Sequence, residues 1–132
     1  MRAYISGPIT GVSNYKRIFQ GAKDALTAKG YDVVNPAELT EVIGDSFSYD
    51  EIIRIDLDLL DRCDVLVQLP GWEESRGANI EYGYALGSDK TILPFECVVE
   101  GGCRCLSRSP ASPTCSARLW IHTRPRFPAS YP

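Results

Sequence analysis

No uninterrupted apolar run in this 132-residue chain approaches the roughly 18 residues that a membrane span requires, so no membrane partner is expected. The first residues, MRAYISGPITG, lack the succession of basic, apolar and small regions that marks a secretory signal. They enter a strand-like run at once, and a cytoplasmic location is the default expectation. No internal repeat is present. Cys97, Cys103, Cys105, Cys115 and His122 show no paired C-x2-C spacing or other tight ligand pattern, and no metal site is expected from them. Residues 97–132 also contain no lysine, while they hold five of the nine prolines and four of the five cysteines. With no sustained period of either kind, that stretch is expected to be a poorly ordered tail behind a body of residues 1–96.

What is present is ordinary for a soluble globular protein. Hydrophobic residues make up 44% and charged residues 23%, and the length suits one domain with a real core. The formal charge of −3 conceals an asymmetry. Residues 1–96 carry nine Lys and Arg against 16 Asp and Glu, net −7, whereas residues 97–132 carry five Arg against Glu100, net +4. So acidic a body is not built for polymeric nucleic acid, and no such partner is expected.

Along the chain, RAYIS (2–6) reads as a strand closed by the loop GPITG. Ile18, Phe19, Ala22, Ala25 and Leu26 recur at helical spacing with Gly30 as the stop signal. YDVVNP (31–36) is a second strand ended by proline, and residues 37–48 form a connection of undetermined structure. Ser48 and Glu51 have capping-box spacing for a helix over about residues 49–62. CDVLVQLP (63–70) has the continuous apolar character of a buried parallel strand. A loop and short helix, PGWEESRGANIEYGYALG (70–87), follow, and KTILPFE (90–96) is a fourth strand. Alternating strands and helices imply a parallel sheet covered on both faces, with ligands beyond the carboxyl ends of the strands. GPITG and PGWEESRG lie at two of those ends.

Two acids fall on apolar helix faces. Asp56 is four residues after Ile52 and four before Leu60, near the centre of the apolar side of its helix. Glu81 lies among Gly77, Ala78, Tyr84 and Ala85 on the packed side of the next helix. One buried acid is more often structural than catalytic. Two from neighbouring βα units are another matter, because each costs several kcal/mol unless it gains donors or keeps its proton. A carboxylate nucleophile beside a carboxylic proton donor is what displacement at a glycosidic carbon requires.

Three blocks, YISGPITG (4–11), DLDLLDRCDVLVQLPG (56–71) and SRGANIEYGYA (75–85), together resemble the nucleoside 2-deoxyribosyltransferase superfamily, which includes the 2′-deoxynucleoside 5′-phosphate N-hydrolases. The resemblance spans roughly residues 2–96. It implies a flavodoxin-like or Rossmann-like three-layer α/β sandwich with a parallel sheet of four or five strands. It further implies that Glu81 attacks C1′ of the sugar, that Asp56 protonates or holds the leaving base, and that Tyr4 orients Glu81. Gly7, Ile9, Thr10 and Gly11 would line the sugar or phosphate side, with Gly77 and Ser75 at the start of the second helix. Ser75 occupies a position where the transferases usually carry an Asp and the nucleotide hydrolases a Ser facing the 5′-phosphate. A hydroxyl at a helix start welcomes a phosphate that a carboxylate would repel, which favours a nucleotide substrate. Trp72 serves equally as a stacking surface for a base or as a packing anchor of its loop, and Arg76 equally as a phosphate partner or a solvated residue.

The resulting expectation is a (deoxy)nucleoside 5′-monophosphate N-glycosidase that releases the nucleobase through a Glu81-linked sugar without a metal or organic cofactor. A transferase that exchanges bases between deoxynucleosides is the alternative within the same chemistry. A non-catalytic nucleotide-binding or sensing module is the alternative of another class. Flavin electron transfer is disfavoured, since GPITG lacks the Ser/Thr-rich run that wraps a flavin phosphate. The resemblance also implies a homodimer or larger homo-oligomer.

Overall fold

The computed structural model describes residues 1–100. Their elements are β1 (Arg2–Ser6), α1 (Tyr15–Ala28), β2 (Asp32–Val34), α2 (Pro36–Ile43), α3 (Tyr49–Asp61), β3 (Val65–Gln68), α4 (Arg76–Gly87), β4 (Thr91–Pro94) and α5 (Phe95–Val99). Single 3-10 turns at Gly44–Ser46 and Trp72–Glu74 lead into α3 and α4. The four strands form one parallel sheet in the order β2-β1-β3-β4. Helices cover both faces, giving the flavodoxin-like, Rossmann-like α/β sandwich.

Strand periodicity assigns each side chain to a face. Ala3, Ile5, Val65, Val67 and Leu69 meet Phe19, Ala22 and Leu26 of α1, Ala37 of α2 and Val98 of α5 in the main core. The opposite face carries Tyr4, Ser6, Leu66, Gln68 and Ile92, all buried, in register across β1, β3 and β4. This second face holds polar groups at the carboxyl end of the sheet, where Ser6 pairs with Gln68.

Local signals explain most element boundaries. The Ser48 hydroxyl accepts from the Glu51 amide, and the Glu51 carboxylate accepts from the Ser48 amide, closing the capping box that starts α3. Gly30, at φ 91°, takes the left-handed turn after α1. Residues 37–48, undetermined from sequence, are largely α2. Asn35 is the cap, accepting from the Ala37 amide at 3.0 Å, and Pro36 sits at the first helical position, where its missing N–H costs nothing. That proline therefore begins a helix as well as ending a strand. The body also continues past Glu96, since Cys97 and Val98 are buried in α5. Residues 101–132, most of the stretch read as a poorly ordered tail, lie outside the described residues.

The carboxyl ends of β1 and β3 are bound together by the Leu69 amide, which donates to the Ser6 carbonyl at 2.8 Å. Gly7 lies against Leu69 so closely that an added Cβ would stand 2.9 Å from Leu69 Cβ and 3.0 Å from its Cδ1. Because Leu69 is buried, it has little room to give way. Gly7→Ala is expected to cost about 1–3 kcal/mol in a urea titration. Gly21→Ala, at an exposed position in α1 with open space around the new methyl group, should instead add roughly 0.5–1 kcal/mol.

Candidate active site

The order β2-β1-β3-β4 reverses direction between β1 and β3, and the loops leaving these two strands open a crevice at the carboxyl edge. One wall is α4. The Ser75 hydroxyl caps it by accepting from the Ala78 amide at 3.3 Å, while Asn79 Nδ2 reaches back to the Glu73 and Ser75 carbonyls at 2.8 Å each. Ala78, Glu81 and Ala85 recur on the side of α4 that is buried. Small residues there let the helix approach the sheet closely enough for a carboxylate to reach it.

Glu81 lands on β1. Its Oε1 accepts from the Tyr4 hydroxyl at 2.7 Å and its Oε2 from the Ser6 hydroxyl at 2.5 Å. Burial pushes the Glu81 carboxyl up to about 7, against the opposing effect of the Ser6 and Tyr4 hydrogen bonds, which favour its ionised form. Tyr4 is wholly buried, and desolvation together with the Glu81 charge holds its hydroxyl well above the ordinary tyrosine range. It therefore stays a donor.

Asp56 faces the same space from α3. It is 6% exposed, and its Oδ1 has no hydrogen-bond partner. Desolvation first and the Glu81 charge second raise its carboxyl to about 7. The two acids thus differ in surroundings: Glu81 receives two hydroxyl donors, whereas one oxygen of Asp56 is bare. The two hydroxyl donors favour the ionised form of Glu81, and the Glu81 charge in turn favours the protonated form of Asp56.

A cavity of about 140 Å³ lies between the acids and the first loop. It brings together Gly7, Ile9, Thr10, Asp56, Ser75, Gly77 and Glu81, seven of the residues expected from sequence. Tyr4 stands behind Glu81, outside the lining. Gly11 and Trp72 line neither this cavity nor its outer neighbour of about 560 Å³. Gly11 supplies a left-handed turn at φ 78°, and the Trp72 ring packs on Tyr82 with centroids 4.9 Å apart.

Ser6, Thr40, Tyr49, Ile52, Ile53 and Ala78 are the additions the structure makes. Ser6 was detectable, since it follows Tyr4 by two residues and so shares its strand face. Tyr49, Ile52 and Ile53 precede Asp56 by seven, four and three residues and form one stripe of α3 with it. Thr40 comes from α2, whose helical nature the sequence concealed. Among the described residues no group of three or more His, Cys, Asp or Glu side chains is placed to hold a metal ion. Nor is any helix among them long and apolar enough to cross a membrane. Cys103, Cys105, Cys115 and His122 lie outside the described residues.

Residues 1–93 match the model of a family described as a domain of unknown function, DUF4406. No curated protein matches the chain. The matched span includes every residue that lines the two cavities.

The raised carboxyls have a consequence for stability. Both acids hold their protons more tightly folded than unfolded, so the stability these two groups contribute is fully present below the ordinary carboxyl range and is lost as pH rises from about 4 through about 7. Chemical denaturation between pH 4.5 and 8 should record this decline. Glu81→Gln should flatten the profile and be more stable than the parent at pH 8 by roughly 1–3 kcal/mol. A parent profile that is level, or a variant that is weaker at pH 8, would contradict the assignment.

Proposed function

Since the chain belongs to the DUF4406 family, whose description assigns no activity, we propose from its site that it cleaves the N-glycosidic bond of a (deoxy)nucleoside 5′-monophosphate. The observation that carries this reading is the unequal pair of buried acids. Glu81 is held by the Tyr4 and Ser6 hydroxyls, and Asp56, which lines the same cavity, has one buried oxygen without a hydrogen-bond partner.

In the first step a Glu81 oxygen forms a bond to C1′ as the C1′–N bond breaks, and the bonding pair departs with the base. Asp56 delivers its proton to that base. In the second step water attacks C1′, Asp56 takes a proton from it, and Glu81 leaves as the carboxylate. Tyr4 and Ser6 orient the nucleophile and support its charge before attack and after release. One carboxylate supplies the nucleophile and the other the proton, so the cycle calls on no further group. Ser75 and the amides at the start of α4 suit a 5′-phosphate, because Ser75 Oγ accepts from Ala78 and keeps its own hydrogen free to donate.

Base release from deoxynucleosides and their 5′-monophosphates, followed by chromatography with and without an added base, separates the readings. Release from monophosphates alone supports the hydrolase. Exchange that requires the added base supports a transferase in a homo-oligomeric enzyme of the same superfamily. Binding without turnover supports a nucleotide-sensing module.

The hydrolase should give a bell-shaped dependence of kcat/KM on pH, rising as Glu81 ionises and falling as Asp56 loses its proton. Asp56→Asn should lower kcat by about 10²–10⁴ and abolish the alkaline limb. Glu81→Ala should remove activity altogether, and full activity in that variant would refute the mechanism.

A further inference from the structure

In the cleavage just described, the cavity outside the acid pair receives only the 5′-phosphate at its Ser75 edge. It is about 560 Å³, against about 140 Å³ for the inner space, and the two share Thr10, Tyr49, Ser75 and Gly77 as lining. A single phosphate at Ser75 would leave most of it as bulk water. Volumes in this range are those of pockets that enclose whole ligands.

Tyr49 defines the outer space. It is the first residue of α3, two turns before Asp56 on the same stripe, and so stands about 10 Å from it along the helix axis. The residue is 42% exposed, and the Arg76 guanidinium carbon lies 5.4 Å from the ring centroid. The position is firmly set. The capping box of Ser48 and Glu51 fixes the start of α3, and Gly77 leaves only van der Waals room beside the Tyr49 hydroxyl. An aromatic ring layered with a guanidinium is a platform on which a nucleobase stacks. Arg76 and Glu74 are the two charged side chains of the outer wall. The first suits a bridging phosphate, the second the hydroxyls of a sugar.

We infer that this outer cavity receives a second nucleoside, joined through the 5′-phosphate of the nucleoside that is cleaved. The inference rests on the glycosidase reading and narrows its substrate to a nucleotide whose phosphate is itself substituted. With the scissile sugar at Glu81 and its 5′-phosphate at Ser75, the group beyond the phosphate falls at the Tyr49–Arg76 pair. Asp56 lines the inner end of the same tract.

The test compares base release from a nucleoside 5′-monophosphate, a 3′→5′ dinucleoside monophosphate and a 5′,5′-dinucleoside diphosphate. The readout is the ratio of kcat/KM for each dinucleoside compound to that for the monophosphate. At least one ratio should be about tenfold or more, as the stacking of one base provides. The compound that shows it identifies the linkage. Tyr49→Ala should bring that ratio close to one, and Tyr49→Phe should keep it. A ratio of one or less for both compounds, or a high ratio untouched by Tyr49→Ala, overturns the inference while the glycosidase reading stands. If no compound is cleaved, that reading fails, and calorimetry on Glu81→Gln decides the inference separately. Tighter binding of a dinucleoside than of the monophosphate, lost in Tyr49→Ala, upholds the outer site, and equal or absent binding overturns it.

Discussion

A carboxylate taken out of water must be compensated, and in this fold the compensation for Glu81 is two hydroxyls on one strand. Tyr4 and Ser6 project from the same face of β1 because a strand repeats every two residues, and they meet the two oxygens of a residue 77 and 75 positions away. The rest of the site follows from this contact. α4 must lie close to the sheet, which requires Ala78 and Ala85 on its inner side, and Gly77 leaves room for Ile53 and Tyr49 of α3. The loop before it must be short and braced, which Asn79 and the Ser75 cap achieve. The acid is then held on a rigid frame rather than on a mobile loop.

Asp56 shows the complementary condition. It receives no donor at Oδ1, and the Glu81 charge adds to the effect of burial, so it favours the protonated form. Two residues of the same chemical class are thereby driven toward different protonation states by their surroundings. α3 supplies this second environment, and its cavity-facing stripe runs from acid to aliphatic to aromatic between Asp56 and Tyr49. An acid at one end and an aromatic ring at the other share a single helix.

The parts visible in the sequence were those governed by local rules. Short apolar runs located β1 and β3, the Ser48–Glu51 spacing located α3, and Gly30 marked the end of α1. Asp56 and Glu81 stood out because an acid violates an apolar helical face. α2 was obscured because Asn35-Pro36 ends a strand and begins a helix with the same two residues, and strand punctuation is the more obvious reading. Tyr49 was hidden for a different reason. An aromatic residue at the start of a helix is unremarkable until the loops that approach it are known. Trp72 had two local explanations, and only the tertiary placement of Tyr82 beside it shows which surface it packs on. What escaped the sequence was mainly encounter between distant segments.

The Tyr4–Glu81 bond closes a loop of most of the described chain, since its two ends are 77 residues apart. Closing so long a loop is entropically demanding and is rewarded only when both crossovers between those ends are already packed. A partly folded chain, even one with β1 and β2 paired, therefore holds Glu81 in water with an ordinary carboxyl and no hydroxyl partners. The chemical character of that residue is created by the completed topology. Its pair of hydroxyl partners is in effect a gauge of whether the chain has finished folding.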